Sequence, residues 1–159
     1  MKEYRIESVV HICGMAELDE ADRELIEAAK RATKGSYAPY SRFHVGAAVR
    51  LRDGSILTGA NQENAAFPSG LCAERTALFA AGAQHPGQPV VALAIAARKG
   101  KRFLAQPISP CGACRQVMSG VEDRYGIPIR ILLYGSEGIL VSDGISPLLP
   151  IRFVDGDMR

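Results

Sequence analysis

Three cysteines and one glutamate stand in two short segments that could share a chemical task. The segment LCAERTALF places Cys72 two positions before Glu74 and three before Arg75. The segment SPCGACRQV carries Cys111 and Cys114, three positions apart. Side chains at i and i+3 share one helix face, so both thiols of this pair could bind one ion. The pattern therefore predicts a metal site, with redox chemistry as the alternative use of a C-x-x-C pair.

The three thiols are best matched by zinc. Zinc accepts thiolates at tetrahedral corners, and a catalytic zinc keeps three protein ligands with the fourth position for water. Cys72 is predicted at a helix N-terminus, where the helix dipole favours the thiolate that a metal requires. A closed site with a fourth protein ligand and unligated core cysteines are the alternatives, and the spare candidate ligands are Cys13, His11, His44 and His85. Cys13 itself is predicted to be a small buried hydrophobic side chain.

Glu74 indicates what such a zinc could be used for. A carboxylate two residues from a ligand, at the head of a helix, could receive a proton from an activated water and pass it on. The alternative is a charge in the first helical turn that interacts only with the dipole. Beside three matched cysteines we interpret Glu74 as a proton carrier.

Arg75 is a candidate for charge compensation at the same site. A zinc ion with three thiolates carries one surplus negative charge, which weakens its pull on a bound water. Arg75 could hydrogen-bond the ligand sulfurs and withdraw charge from them. The alternative is a surface arginine paired with a neighbouring carboxylate.

The elements that would position these residues follow from apolar spacing. Leu18, Leu25, Ile26 and Ala29, with Asp19 as N-cap and Gly35 as stop, predict an amphipathic helix. Alternation over 43–51 predicts a strand, and the Asp53-Gly54 pair predicts a hairpin into a second strand over 55–61.

The second half of the chain alternates helices and strands. Helices are predicted from about Cys72 to Ala81 and from the second cysteine pair to Tyr125, and strands over 89–97, 128–135 and 139–142. This order predicts an α/β fold: a three-layer α/β/α sandwich with a mixed central sheet, in a single domain of residues 1–159.

Composition narrows the class of protein. The chain has 159 residues, 47% of them hydrophobic and 23% charged, which is ordinary for a globular domain. A net charge of +2 argues against nucleic acid or an anionic membrane as partner. The basic run RKGKR, residues 98–102, is interpreted as a solvated loop. The N-terminus does not resemble a signal peptide, and no apolar run could span a membrane. Reduced cysteines, and hence the cytoplasm, are expected.

The combined motifs resemble the small zinc-dependent cytidine deaminases. The segments that carry the resemblance follow one another in the family's order and are SYAPYSRFHVGAAV, GANQENAAFPSGLCAERTALF, SPCGACRQV and LLPIRF. The resemblance implies that Cys72, Cys111 and Cys114 hold one zinc ion. It also implies that Glu74, which is not a ligand, transfers the protons of a hydrolytic deamination.

The resemblance also implies the residues that bind substrate. Asn61 and Glu63 would hydrogen-bond the ribose hydroxyls, although without the motif they would be ordinary turn residues. Phe43 would pack on the base and the Ala73 backbone would hydrogen-bond it, whereas alternation alone would place Phe43 in the core. Phe153 would be lent by a neighbouring subunit of a homotetramer, with simple packing as the alternative.

Three features depart from the family pattern. Cys72 and Cys111 are separated by 38 residues, more than usual, with the extra length around RKGKRFLAQ. Phe67 stands where many relatives have tyrosine, and MSGVEDRYG replaces an aromatic-containing helix end.

The predicted activity is hydrolysis of cytidine and 2′-deoxycytidine to the uridines, in pyrimidine salvage. A related zinc enzyme for blasticidin S, a free base or another cytosine nucleoside is the close alternative, and the NQEN segment favours a ribosyl substrate. A nucleic-acid deaminase would need a phosphate-binding groove, which the near-neutral charge does not indicate. A zinc-binding module without activity would have no use for Glu74.

Overall fold

A seven-stranded mixed sheet runs through the computed structural model, which describes residues 1–158, so residue 159 of the predicted domain lies outside it. The strands are β1 His11–Cys13, β2 Phe43–Leu51, β3 Ile56–Ala60, β4 Val90–Lys99, β5 Arg102–Phe103, β6 Arg130–Gly135 and β7 Gly138–Asp143. Their order is β1-β7-β6-β4-β2-β3, and β5 pairs with the end of β4. The β4–β6 pair is parallel and all the other pairs are antiparallel.

Three helices cover the two faces of this sheet. They are α1 Glu20–Ala32, α2 Ala73–Gln84 and α3 Gly112–Tyr125. Ile26 of α1 packs in one buried cluster, whereas Leu78 of α2 and Met118 of α3 pack in the other. This is the predicted α/β/α sandwich with a mixed central sheet, which is confirmed. Within the described residues, no helix has the length and apolar character needed to cross a membrane.

The predicted first helix and hairpin are present with small shifts. Asp19 caps α1 by accepting a hydrogen bond of 2.7 Å from the Asp22 N–H. The last predicted turn is a 3-10 helix over Thr33–Gly35. β2 has its predicted bounds, and Gly54 at φ 89° makes the turn into β3. A positive φ favours glycine, which explains the Asp-Gly signal.

The basic run at 98–102 is solvated from 99 to 102 as predicted, but it is not a loop throughout. Arg98 and Lys99 continue β4, and Arg102 begins β5, so the run is a β-hairpin. The Nε atom of Arg98 donates a hydrogen bond of 3.0 Å to Thr33 Oγ1. A charged side chain in a strand can be held by a distant hydroxyl, which local composition does not indicate.

The N-terminal side of the sheet also differs from expectation. β1 was not predicted, because its three residues become a strand only by pairing with β7. Cys13, at its end, is half-buried rather than buried and packs beside the α1 cluster. Burial, and then the nearby Glu17 carboxylate, raise the pKa of the Cys13 thiol.

Gly59→Ala is expected to destabilise the fold. A Cβ on Gly59 would lie 2.5 Å from Ala77 N and 2.6 Å from Ala73 O, both helix backbone atoms. Because these atoms belong to the backbone of α2, they cannot rotate away as a side chain could. The methyl group would therefore push α2 away from the sheet. We expect a loss of about 1–3 kcal/mol in the free energy of unfolding, measured in urea. Gly87→Ala, with open space around it, is the control. Equal stability of the two variants would contradict the close packing.

Candidate metal centre and adjoining cavity

The two helices that carry the cysteines begin side by side at one end of the sheet. Cys72 is the N-cap of α2 and Cys111 is the N-cap of α3. Neither thiol makes a capping hydrogen bond, so both are available to a ligand. Cys114 lies in the first turn of α3 and is buried. The positive ends of both helix dipoles therefore converge on three sulfur atoms.

The spacing of the sulfurs fits one zinc ion. Cys72 Sγ lies 3.8 Å from Cys111 Sγ, which lies 3.4 Å from Cys114 Sγ. All three sulfurs are within 4.8 Å of one another. A tetrahedral ion with Zn–S bonds of about 2.3 Å separates its sulfurs by about 3.8 Å. Across residues 1–158, no other Cys, His, Asp or Glu side chain joins the group. Neither Cys13 nor any histidine supplies the fourth ligand of a closed site.

The pKa values of the Cys72 and Cys114 thiols are shifted in opposite directions. A hydrogen bond from the Cys114 thiol, followed by one from Arg75, lowers the pKa of Cys72 to about 5. The same contact with Cys72, together with burial, raises the pKa of Cys114. The lowered pKa of Cys72, at a helix N-terminus, favours its thiolate, which is the state that binds a metal.

Glu74 lies beside the sulfurs and away from water. Its side chain is in the first turn of α2, and the residue is 5% exposed. Burial raises the pKa of the Glu74 carboxyl, and the neighbouring Cys72 adds to that rise, while a hydrogen bond from the backbone N–H of Glu74 itself opposes it. A shielded carboxyl group next to a metal centre can exchange protons with a ligand there without competition from bulk water.

Arg75 contacts the cluster directly. Its Nη2 donates to Cys72 Sγ over 3.5 Å. The Nε atom is buried and has no hydrogen-bond partner in the described part of the chain. The guanidinium thus faces the sulfurs, and among residues 1–158 it forms no ion pair with a carboxylate.

A cavity of about 480 Å³ opens next to Cys72. Its volume lies within the range of small-molecule sites. The cavity brings together the predicted residues Asn61, Glu63, Cys72 and Arg75. The other lining residues are Tyr40, Ser41, Gln62, Asn64, Phe67, Gly70 and Leu71.

Glu63 is held in this wall by the loop before β2. Its Oε2 accepts hydrogen bonds from Tyr40 N at 2.9 Å and Ser41 N at 3.2 Å. Its Oε1 accepts from the Ser41 hydroxyl. The Ser41 hydrogen bond is the main cause that lowers the pKa of Glu63, so the carboxylate stays charged at neutral pH.

Asn61 ties the same loop to the sheet. Its Oδ1 accepts from Ser36 Oγ at 2.5 Å and from Val45 N at 2.9 Å. Its Nδ2 donates to Phe43 O at 2.9 Å. The side chain therefore positions Phe43 as well as lining the cavity.

The remaining predicted residues lie in three different places. Phe43 is half-buried at the start of β2 and, like Cys72, packs against the buried cluster that contains Cys114. Ala73 is fully buried in the first turn of α2. Phe153 is 56% exposed and lines a separate cavity of about 550 Å³, so a single chain does not bring it to the cysteines.

Residue-by-residue reasoning missed the contribution of Tyr40, Ser41 and Ser36. Their backbone and hydroxyl groups hold Glu63 and Asn61 in place. Tyr40 also packs edge-to-face on Phe67, with ring centroids 5.7 Å apart. The tyrosine- and serine-rich loop SYAPYSRF was the available signal, because such side chains often hydrogen-bond a neighbouring turn.

Comparison with known proteins identifies the family. A family model described as the cytidine and deoxycytidylate deaminase zinc-binding region matches residues 19–125. A cytidine deaminase of Halalkalibacterium halodurans is 43% identical over 139 residues, which cover 87% of this chain and 98% of that protein. A blasticidin-S deaminase of Bacillus cereus is 28% identical over 138 residues, covering 86% of this chain and 94% of that protein.

Solved structures agree with the sequence matches. The crystal structure of cytidine deaminase from Burkholderia pseudomallei superposes with a TM-score of 0.69 at 42% identity, covering 82% of this chain and 97% of that one. The fold and the three-cysteine centre are thus those of a zinc-binding α/β enzyme. This chain belongs to the cytidine and deoxycytidylate deaminase family.

Proposed function

We propose that this chain hydrolyses the amino group of cytidine and 2′-deoxycytidine, releasing ammonia and the corresponding uridine. The observation that carries the proposal is the buried Glu74 carboxyl beside three sulfurs spaced for zinc. The 43% identity to a named cytidine deaminase over most of the chain supports it. We place the reaction in pyrimidine salvage.

Cys72, Cys111 and Cys114 would hold the metal. Zinc bound there would supply a Lewis acid that activates a water for attack on the cytosine ring. The carboxyl oxygens of Glu74 would take protons from that water and deliver them to the ring nitrogen and then to the departing ammonia. Its burial supports this role, since protons held there are not lost to solvent.

The rest of the site would hold the nucleoside. Glu63 and Asn61 would bind sugar hydroxyls, which their place in the wall of the cavity supports. Phe43 would pack against the base, and the backbone of Ala73 would hydrogen-bond it. Binding energy from the sugar would then orient the ring over the metal.

A substrate panel tests the proposal. Cytidine, 2′-deoxycytidine, cytosine, adenosine and blasticidin S are each followed by ammonia release with purified zinc-loaded protein. We expect turnover of the two cytosine nucleosides and little of the others. Turnover of cytosine or blasticidin S in preference to cytidine would overturn the substrate assignment.

Glu63→Ala is expected to lower kcat/KM for cytidine by about 10–100-fold, with part of the loss in kcat. Contacts to the sugar position the ring, so their loss is not confined to KM. Steady-state kinetics give both constants. Glu20→Ala, at an exposed carboxylate of α1, is the control. Normal kinetics of Glu63→Ala would show that Glu63 does not bind the substrate.

Arg75→Gln is expected to keep zinc and slow cytidine turnover by about ten-fold. The neutral amide no longer offsets the charge of Cys72, so the activating power of the metal falls. Zinc content and kcat are measured together, with Arg31→Gln on the opposite face as control. Introducing Cys111→His into the variant removes the surplus charge and should restore part of the rate. Wild-type kcat in Arg75→Gln would show that the guanidinium has no part in turnover.

We also propose a homotetramer in which a neighbouring subunit lends Phe153 to each site. The exposure of Phe153, away from the cysteines of its own chain, supports this arrangement. Light scattering of the purified chain tests it, and a fully active monomer would contradict it.

Two further proposals concern the compartment and the domain organisation. The four free cysteines support a reducing compartment such as the cytoplasm. One continuous sheet supports the proposal of a single domain.

A further inference from the structure

The first ten residues form no regular structure within the single subunit. Residues 1–10 belong to no helix or strand, and all of them are exposed. In the described structure their only hydrogen bond joins the side chains of Arg5 and Glu3. The strand that follows them, β1, is an edge of the sheet and pairs only with β7. Unpaired backbone next to a sheet edge is a template for another strand.

The same residues carry the pattern of a much longer strand. Charged side chains occupy alternate positions, at Glu3, Arg5 and Glu7. The alternate set, Tyr4, Ile6, Ser8, Val10 and Ile12, is apolar except for Ser8, while Lys2 and Val9 break the alternation at either end. A period of two places these two sets on opposite faces of a strand. Only residues 11–13 are paired, and in the unpaired part Tyr4 is left 86% exposed and Ile6 43% exposed.

We propose that residues 2–10 pair antiparallel with the same residues of a second copy of this chain, about a two-fold axis at Ile6. In this register Arg5 lies opposite Glu7 of the other copy, and the reciprocal pair forms on the other side of the axis. Opposite charges at directly facing positions stabilise an antiparallel pair. The segment is thus complementary to itself, and it fits a second copy better than an unrelated partner.

Other symmetric registers fit less well. An axis at Arg5 would place Arg5 against itself and Glu3 against Glu7, and an axis at Glu7 would place that carboxylate against itself. Like charges directly opposite each other are destabilising. An axis at Tyr4 also forms a charge pair but, within residues 1–10, leaves Val9 and Val10 without partners. Registers without a residue on the axis would set the apolar face of one strand against the charged face of the other.

The interface lies outside the catalytic region. The family match begins at residue 19, and none of residues 1–10 lines the cavity beside Cys72. The pairing can therefore be tested independently of the proposed activity. Variants of the segment are expected to turn over cytidine at the wild-type rate.

Cysteine cross-linking of the full chain tests the register. In Ile6→Cys the two copies of position 6 face each other, within the Cα separation of about 4.4–6.8 Å that a disulfide spans. In Ser8→Cys, on the same face of the strand, the two copies of position 8 lie about 13 Å apart. We expect mild oxidation to give a covalent dimer of Ile6→Cys and little dimer of Ser8→Cys. Equal yields from the two variants would overturn the proposal.

Charge reversal adds an internal control. Arg5→Glu or Glu7→Arg, each added to Ile6→Cys, places like charges opposite each other and should lower the dimer yield about five-fold. In a mixture of the two variants, unlike chains restore both charge pairs, so the yield should recover. Unchanged yields in the single variants, or no recovery in the mixture, would show that this pairing does not form.

Discussion

Glu74→Gln is expected to abolish nearly all cytidine turnover while the protein keeps its zinc. Glutamine has almost the same shape as glutamate, so the packing of this 5% exposed side chain is preserved. The three sulfurs that hold the metal are also unchanged. An amide cannot take up and release the proton that the reaction moves. General acid–base catalysis is worth about 10²–10⁴-fold, and we expect a loss of kcat at least that large because one group acts twice.

The measurement pairs single-turnover kinetics with zinc content for the same preparation. Glu74→Asp is the matched variant, since it keeps the carboxyl group but withdraws it by one methylene. We expect Glu74→Asp to recover part of the rate that Glu74→Gln loses. If Glu74→Gln lost its zinc along with its activity, Glu74 would be a metal ligand and the proposed role as proton carrier would be wrong.

Cys114→Ser is expected to remove zinc and, with it, all measurable activity. Cys114 is the most buried of the three thiols and has a sulfur neighbour at 3.4 Å. Serine is a similar size but is a poor zinc ligand, because its hydroxyl stays protonated at neutral pH. Only two ligands would remain, and both are N-cap residues of separate helices. The two helix ends would then lose the ion that joins them.

Thermal unfolding shows this loss independently of activity. Zinc at about 1,000 times its dissociation constant stabilises the folded chain by about 4 kcal/mol, which corresponds to roughly 8–16 °C in Tm for a domain of this size. A chelator should lower the Tm of the wild type by this amount and leave Cys114→Ser unaffected. Cys13→Ser, which changes the cysteine outside the cluster, should respond like the wild type. A chelator effect on Cys114→Ser equal to that on the wild type would show that Cys114 does not hold the metal.

Much of the fold follows from local pattern because its central strands are strongly periodic. β2 was predicted with its observed bounds, since its odd positions are apolar and face the α2–α3 side of the sheet. The end of β4 was missed because basic residues there look solvated. Arg98 is in fact held by Thr33, 65 positions away. β1 was missed for a similar reason, because its three residues depend entirely on β7.

In the candidate site, too, some residues follow from local spacing and others depend on distant contacts. The spacing of Cys111 and Cys114 indicates shared ligation without any structure, because both residues belong to one helix turn. The arrangement around Asn61 does not follow from spacing, since its hydrogen-bond partners Ser36 and Phe43 lie 25 and 18 positions away. Such contacts depend on how the loop before β2 folds over β3. Local rules describe a single element, whereas the cavity wall is built where several elements meet.

The hydrogen bonds of Asn61 also decide what kind of group its side chain can recognise. Its Oδ1 already accepts from Ser36 and Val45, and one of the two Nδ2 hydrogens is used by Phe43. The side chain therefore has one N–H left to give and no lone pair to offer. The nearby Glu63 carboxylate is the opposite, since an ionised carboxylate can only accept. A hydroxyl group satisfies both partners at once, whereas an ether oxygen would offer Glu63 no hydrogen of its own. The cavity wall is thereby selective for the polarity of its ligand as well as for its size.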